Sequence, residues 1–187
     1  VTVGTGHRLS LDTGFVNNDR LALAGTLAGL LENHGTTTLL GGSVDGDVSN
    51  LGSLNGAGSV TGRLVNDGTL TADRRISIGE LVNNQTATVA QGGVLVSAET
   101  VQNQGTLGIA GLMQADLLNR ATGTTTLSGG TIEGDVANLG RLSGTGTIAG
   151  TVRNAGQATL GGRVEALQNL EAGQFAVQDT LATEAFV

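Results

Sequence analysis

Hydrophobic and polar residues alternate along this chain in short bursts. Thr69-Leu70-Thr71-Ala72, Ser59-Val60-Thr61 and Thr147-Ile148-Ala149 are three of them, each closed by an Asp or a Gly. Period-two alternation of Thr, Val and Ile between turn formers predicts strands. A helical reading fails on the 32 glycines, because each Gly in a helix interior is less favourable than Ala by about 1 kcal/mol.

The bursts are metered by asparagine. One returns every 15 to 20 residues, at Asn17, Asn33, Asn50, Asn66, Asn83, Asn103, Asn119, Asn138, Asn154 and Asn169, two positions after a large apolar residue. A fixed short period carried from end to end predicts one small unit stacked on itself. Such a unit is too short for a propeller blade and fits one turn of a parallel β-helix. The expectation is an all-β chain, a single β-helix segment over residues 1–187, with about ten coils of 16–20 residues. Coils spaced by about 4.8 Å would make a rod on the order of 50 Å long.

The unit has a phrase, aliphatic-x-Asn-x-Gly-x-Leu. It is complete in Val48 to Leu54, Leu64 to Leu70, Val101 to Leu107 and Val136 to Leu142, and changes only its last residue, to Thr37 and Ala158, around Asn33 and Asn154. The copies at Asn17, Asn83, Asn119 and Asn169 lose or displace the Gly. The aliphatic residue and the Leu are expected to point inward, with Asn-x-Gly turning the corner through the positive φ that Gly and Asn tolerate. Two readings of the Asn stand side by side. The corner residues Asn33, Asn50, Asn66, Asn83, Asn103, Asn119, Asn138 and Asn154 form a coil-to-coil amide ladder, or they are ordinary turn formers.

A longer repeat overlies the short one. Residues 35–68 match residues 123–156 without a gap at 19 of 34 positions. Five short units duplicated as a block is how fibrous repeat proteins lengthen, and single-copy active sites are not normally built that way.

Composition narrows the partners. Arg is the sole cation, charged residues are 13 % of the chain and the net charge is −7. Phosphate binding needs clustered Lys and Arg, and base stacking needs aromatics, so no nucleic acid is expected as a partner. Phe15, Phe175 and Phe186 are the only aromatics, so burial must come from many small aliphatic layers. With 39 % hydrophobic residues at regular positions, disorder is not expected. Absence of Cys suits a reducing cytosol and equally a protein exported unfolded. No apolar run is long enough for a membrane-spanning helix, so no membrane insertion of this segment is expected. The chain begins at Val1, which reads as a mature piece whose signal or anchor would lie outside it.

Val101-Gln-Asn-Gln-Gly-Thr-Leu107 and Leu64-Val-Asn-Asp-Gly-Thr-Leu70 resemble the repeats of filamentous haemagglutinin and contact-dependent inhibition exoproteins of two-partner secretion. The run from Leu142 to Gly156 is similar to autotransporter passenger repeats. The resemblance covers essentially the whole chain through short motifs. It implies a right-handed β-helical stalk, secreted through an outer-membrane transporter to the exterior of a Gram-negative cell. That stalk would carry adhesive or toxic tips toward a receptor or glycan on host or neighbouring cells. Both secretion routes stay open.

Candidate chemistry is thin, and neither enzymatic activity nor a cofactor is expected. His7 and His34 are the only histidines, and His34 reads as a solvated corner residue. Asp45 with Asp47, and Glu133 with Asp135, are weak metal candidates, because residues i and i+2 of a strand share a face and two outward carboxylates are a minimum for Ca²⁺. The same pairs carry the alternative of a carbohydrate-active β-helical enzyme. The longer intervals from Asn83 to Asn103 and from Asn119 to Asn138 suggest loops leaving the rod, where solenoids usually bind; Arg75, after Arg74, would be an adhesive contact in such a loop. Thr-x-Thr at Thr36, Thr69, Thr86, Thr124 and Thr145 invites an ice-binding reading. Its phase against Asn varies, so no continuous array is expected, and Thr reads as a good exposed strand residue. Phe15 and Phe175 are candidate end-packing groups. Ile132-Glu-Gly-Asp-Val136 resembles bactofilins, which gives a polymerising cytoskeletal β-helix as an alternative, and a phage tail-spike module is another.

Overall fold

The computed structural model describes residues 1–186. Within them the regular elements are all β-strands, and every strand pairing is parallel. The chain winds as a β-solenoid of about 11 turns. That is one more than the asparagines count, because the last turn, Gln174–Phe186, contains no Asn.

Each coil has three faces. The first follows the Asn corner, as in Thr69–Ala72, Thr86–Val89 and Thr106–Ile109. The second carries Val94–Ser97 and Leu112–Gln114, and the third ends on the Asn, as in Val101–Asn103 and Leu117–Asn119. Ser53–Asn66 and Arg141–Asn154 run through all three faces as single bent strands. Register slips fall at corners, between Leu40 and Ser43 or Ile78 and Glu80.

Alternation decides what fills the bore. On the first face Leu54, Leu70, Leu107 and Leu142 are buried; on the second Ile76, Leu95, Met113, Ile132 and Ile148; on the third Leu31, Val48, Leu64, Val101 and Val136. In-register pairing places like on like, Leu31 on Val48 on Leu64. Burying each such side chain contributes about 1.5–3 kcal/mol, so stacked aliphatics do the work of the missing aromatics. Phe15 and Phe175 lie partly buried against this core in the first and last coils, and the Phe175 ring is 5.9 Å from that of Phe186.

Two expectations are corrected. The longer Asn intervals do not throw out loops: they are taken up largely by tight turns at 90–93 and 120–123, closed by Gly93 N–H to Ala90 O and Gly123 N–H to Arg120 O, each 2.8 Å. Asn-x-Gly does not turn its corner through positive φ either. The non-Gly residue with positive φ is Asp179, and Gly52, Gly68, Gly105, Gly140 and Gly156 are not in the left-handed region. What requires glycine at Gly52 is close approach, since a Cβ there would collide with the carbonyl oxygen of Gly35 one coil below.

Candidate functional site

The asparagines are the most repetitive polar feature, and they are inside. Asn33, Asn50, Asn66, Asn83, Asn103, Asn119, Asn138 and Asn154 are each 0 % exposed, and Asn17 is 3 % exposed. Because each stands two residues after a bore-facing aliphatic on the same strand, it points the same way. A buried carboxamide must find partners, or it costs about 1–3 kcal/mol.

It finds them in the next coil. Asn17 Nδ2 donates to Asn33 Oδ1 at 2.7 Å, Asn33 to Asn50 at 2.7 Å, Asn50 to Asn66 at 2.6 Å and Asn66 to Asn83 at 2.7 Å. The file continues through Asn103, Asn119, Asn138 and Asn154 to Asn169. From Asn17 to Asn154 each Nδ2 also donates to the backbone carbonyl that opens a later first-face strand, as from Asn33 to Ser53 O, Asn50 to Thr69 O, Asn66 to Thr86 O and Asn83 to Thr106 O, at 2.8–3.0 Å. Those carbonyls fix which end of the amide is nitrogen. Of the two readings of these residues, the ladder is the geometry found.

Two buried threonines join it. Thr37 Oγ1 donates to Asn33 Oδ1 at 2.8 Å, and Thr125 Oγ1 donates to Asn119 Oδ1 at 3.1 Å. Both occupy positions that Leu holds in other coils, and the substitution of Leu by Thr37 within the phrase is the sequence signal that marks them.

The paired carboxylates are not pairs. Strand Thr36–Asp45 ends at Asp45, and the corner at Gly46 sends Asp47 elsewhere. Asp45 Oδ2 accepts from Arg8 at 2.9 Å, while Asp47 Oδ1 accepts from the Arg63 backbone N–H at 2.8 Å. Glu133 accepts from Gln114 at 2.8 Å, and Asp135 accepts from the Thr151 N–H at 2.7 Å and lies 3.6 Å from Arg153. Asp116, which the sequence pattern missed, caps the Asp135 N–H at 2.8 Å. The rule that i and i+2 share a face presumes one strand, and a corner intervenes. Among the described residues no group of three or more His, Cys, Asp or Glu converges as metal ligands.

The other singled-out residues are dispersed. His34 sits at the corner after Asn33 with Nε2 2.7 Å from Glu32 Oε1, while His7 contacts Thr5 O at another corner. Arg75 opens the strand Arg75–Asn83 on the second face, rather than standing in a loop, and reaches Gln114 at 3.4 Å. A shallow hollow of about 360 Å³ between Ser97 and Glu133 gathers Glu99 and Asp116, and the buried Ser97 Oγ beside it has no protein partner.

The threonines, by contrast, are brought together. Register places Thr36, Ser53, Thr69, Thr86, Thr106 and Thr124 in one outward column of the first face. Thr38, Asn55, Thr71, Thr88, Gly108 and Thr126 form the second column beside it. The expected difference in phase is thereby corrected for four of the five Thr-x-Thr motifs, which share these columns, while Ser53 with Asn55 and Gly108 interrupt the motif as expected; only Thr145-x-Thr147 falls outside, beyond Gly144 and pairing with Ser128 and Thr131. The phase against Asn varied because the turn at 120–123 adds residues before Thr124, and the fold absorbs them without losing register.

Fold and ladder together define the class of protein: a parallel β-solenoid with an internal asparagine file. Comparison of the chain with family models, curated proteins and solved structures finds no match.

Proposed function

We propose that this chain is a non-enzymatic stalk segment of a secreted bacterial surface exoprotein of the type V class. Its task in that reading is length, stiffness and display, holding an adhesive or toxic tip toward a receptor or glycan on another cell. The observation that carries the reading is the unbroken file from Asn17 to Asn169, whose rungs are shared between coils and buried up to Asn154. A file of that kind stiffens a rod along its whole length and builds no pocket. The phrases resembling exoprotein repeats support it, and so does a bore that fills with aliphatics and needs no disulfide.

The experiment is immunogold electron microscopy of producing cells with antibody raised to this chain. Label outside the outer membrane, lost when the cognate outer-membrane transporter is deleted, is the expected result. Label confined to cytoplasmic filaments would overturn the proposal in favour of the bactofilin-like alternative.

A further inference from the structure

We infer that the first face binds ice, through the two outward columns that run over six successive coils from Thr36 to Thr126. The columns hold nine threonines, one Ser, one Asn and one Gly. Neighbouring coils repeat at about 4.8 Å and alternate residues of a strand at about 6.7 Å. Both repeats lie close to those of oxygens on the prism planes of hexagonal ice.

Threonine suits such a surface. Its β-branch stiffens χ1, so each side chain presents a hydroxyl and a methyl at a set position, the hydroxyl to join ordered water and the methyl to sit between. Charges would hold their own hydration and break the order. They flank the lattice, at Arg20 and Arg141 in the first column, and are absent within it.

Behind the face stands the ladder, which makes the same contact in every coil and continues past the columns to the carbonyls of Arg141, Gln157 and Gln174. The backbone carbonyl of every residue in the first column accepts a hydrogen bond from a buried ladder amide: Thr36 from Asn17, Ser53 from Asn33, Thr69 from Asn50, Thr86 from Asn66, Thr106 from Asn83 and Thr124 from Asn103. The rigid file therefore sets the spacing of the outward hydroxyls. A crystal plane is the occupant that rewards such regularity, since its recognition sites repeat without end in two dimensions. A flexible partner gains little from it.

The test is uptake of the fluorescently labelled whole chain into a slowly growing ice hemisphere, with circular dichroism to confirm that each variant is folded. The wild type is expected to enrich in the ice, and Thr86→Lys at the exposed centre of the first column to abolish enrichment. Ala149→Lys, on an exposed position of the second face, should leave it unchanged. Gly108→Thr, where a Cβ meets open space, fills the gap in the second column and should raise it. Exclusion of the wild type from ice, or equal loss in Thr86→Lys and Ala149→Lys, would overturn the inference. So would adsorption of the wild type to crystalline cellulose or chitin without uptake into ice. The stalk proposal stands or falls separately, on cell location.

Discussion

Residues 35–68 and 123–156 are two drafts of one text, and where they differ is informative. Inside, the copies agree or exchange close equivalents: Thr37 with Thr125, Asn50 with Asn138, Leu54 with Leu142, Asn66 with Asn154, and Val44 and Val60 replaced by Ile132 and Ile148. Asp47 and Asp135 agree too, though both are on the outside, because each carboxylate holds a backbone N–H sixteen residues on. Elsewhere outside, the copies part at Ser53 against Arg141, Leu40 against Ser128 and Val65 against Arg153, while the exposed Leu51 and Leu139 agree, as do the outward Thr36 with Thr124 and Thr38 with Thr126. Positions that face the bore, or whose atoms close a coil onto its neighbour, are held in common, and a position's polarity is no guide to whether it is held.

That contrast can be broken by paired substitutions, one in each copy. The largest loss is expected for Asn50→Ala and Asn138→Ala, which leave the buried Oδ1 of Asn66 or Asn154 without its ladder donor and open a gap in the bore, and should each destabilise by about 3 kcal/mol. Because coils of a solenoid can open separately, amide hydrogen exchange in the adjoining coils is the proper readout, and unequal effects in the two copies would break the equivalence. Gly52→Ala and Gly140→Ala come next, at about 1–3 kcal/mol, since the obstructing atoms are backbone carbonyls that cannot swing away. Thr37→Val and Thr125→Val keep shape and lose a hydroxyl, for about 1 kcal/mol each, seen as lowered protection of the Asn33 and Asn119 strands. The smallest change is expected when outer positions are exchanged between copies, as in Ser53→Arg or Arg153→Val. Chemical denaturation should move by no more than about 0.5 kcal/mol, and a larger shift would show that the outer surface carries stability after all.

Much of this fold was legible because its rules are local. The spacing from Asn17 to Asn169 gave the coil, and alternation in Thr69-Leu70-Thr71-Ala72 gave inside and outside. Alternation also contained the burial of the asparagines: Val48-x-Asn50 puts both residues on one face, and only the habit of reading Asn as a turn former hid it. The carboxylate pairs misled because Gly46 and Gly134 place a corner between members of each pair. The threonine columns were invisible to counting along the chain. Position in a lattice depends on register, and the turns at 90–93 and 120–123 change the count while preserving the register.

The file of asparagines has a direction. Every Nδ2 faces the following coil and every Oδ1 that accepts it faces the preceding one, from Asn17 through to Asn169. Strands of a sheet sum to only a small dipole, but ten carboxamides aligned head to tail add along the axis as peptide units do in a helix. The rod is thus electrically polar through its core, positive toward its C-terminal end.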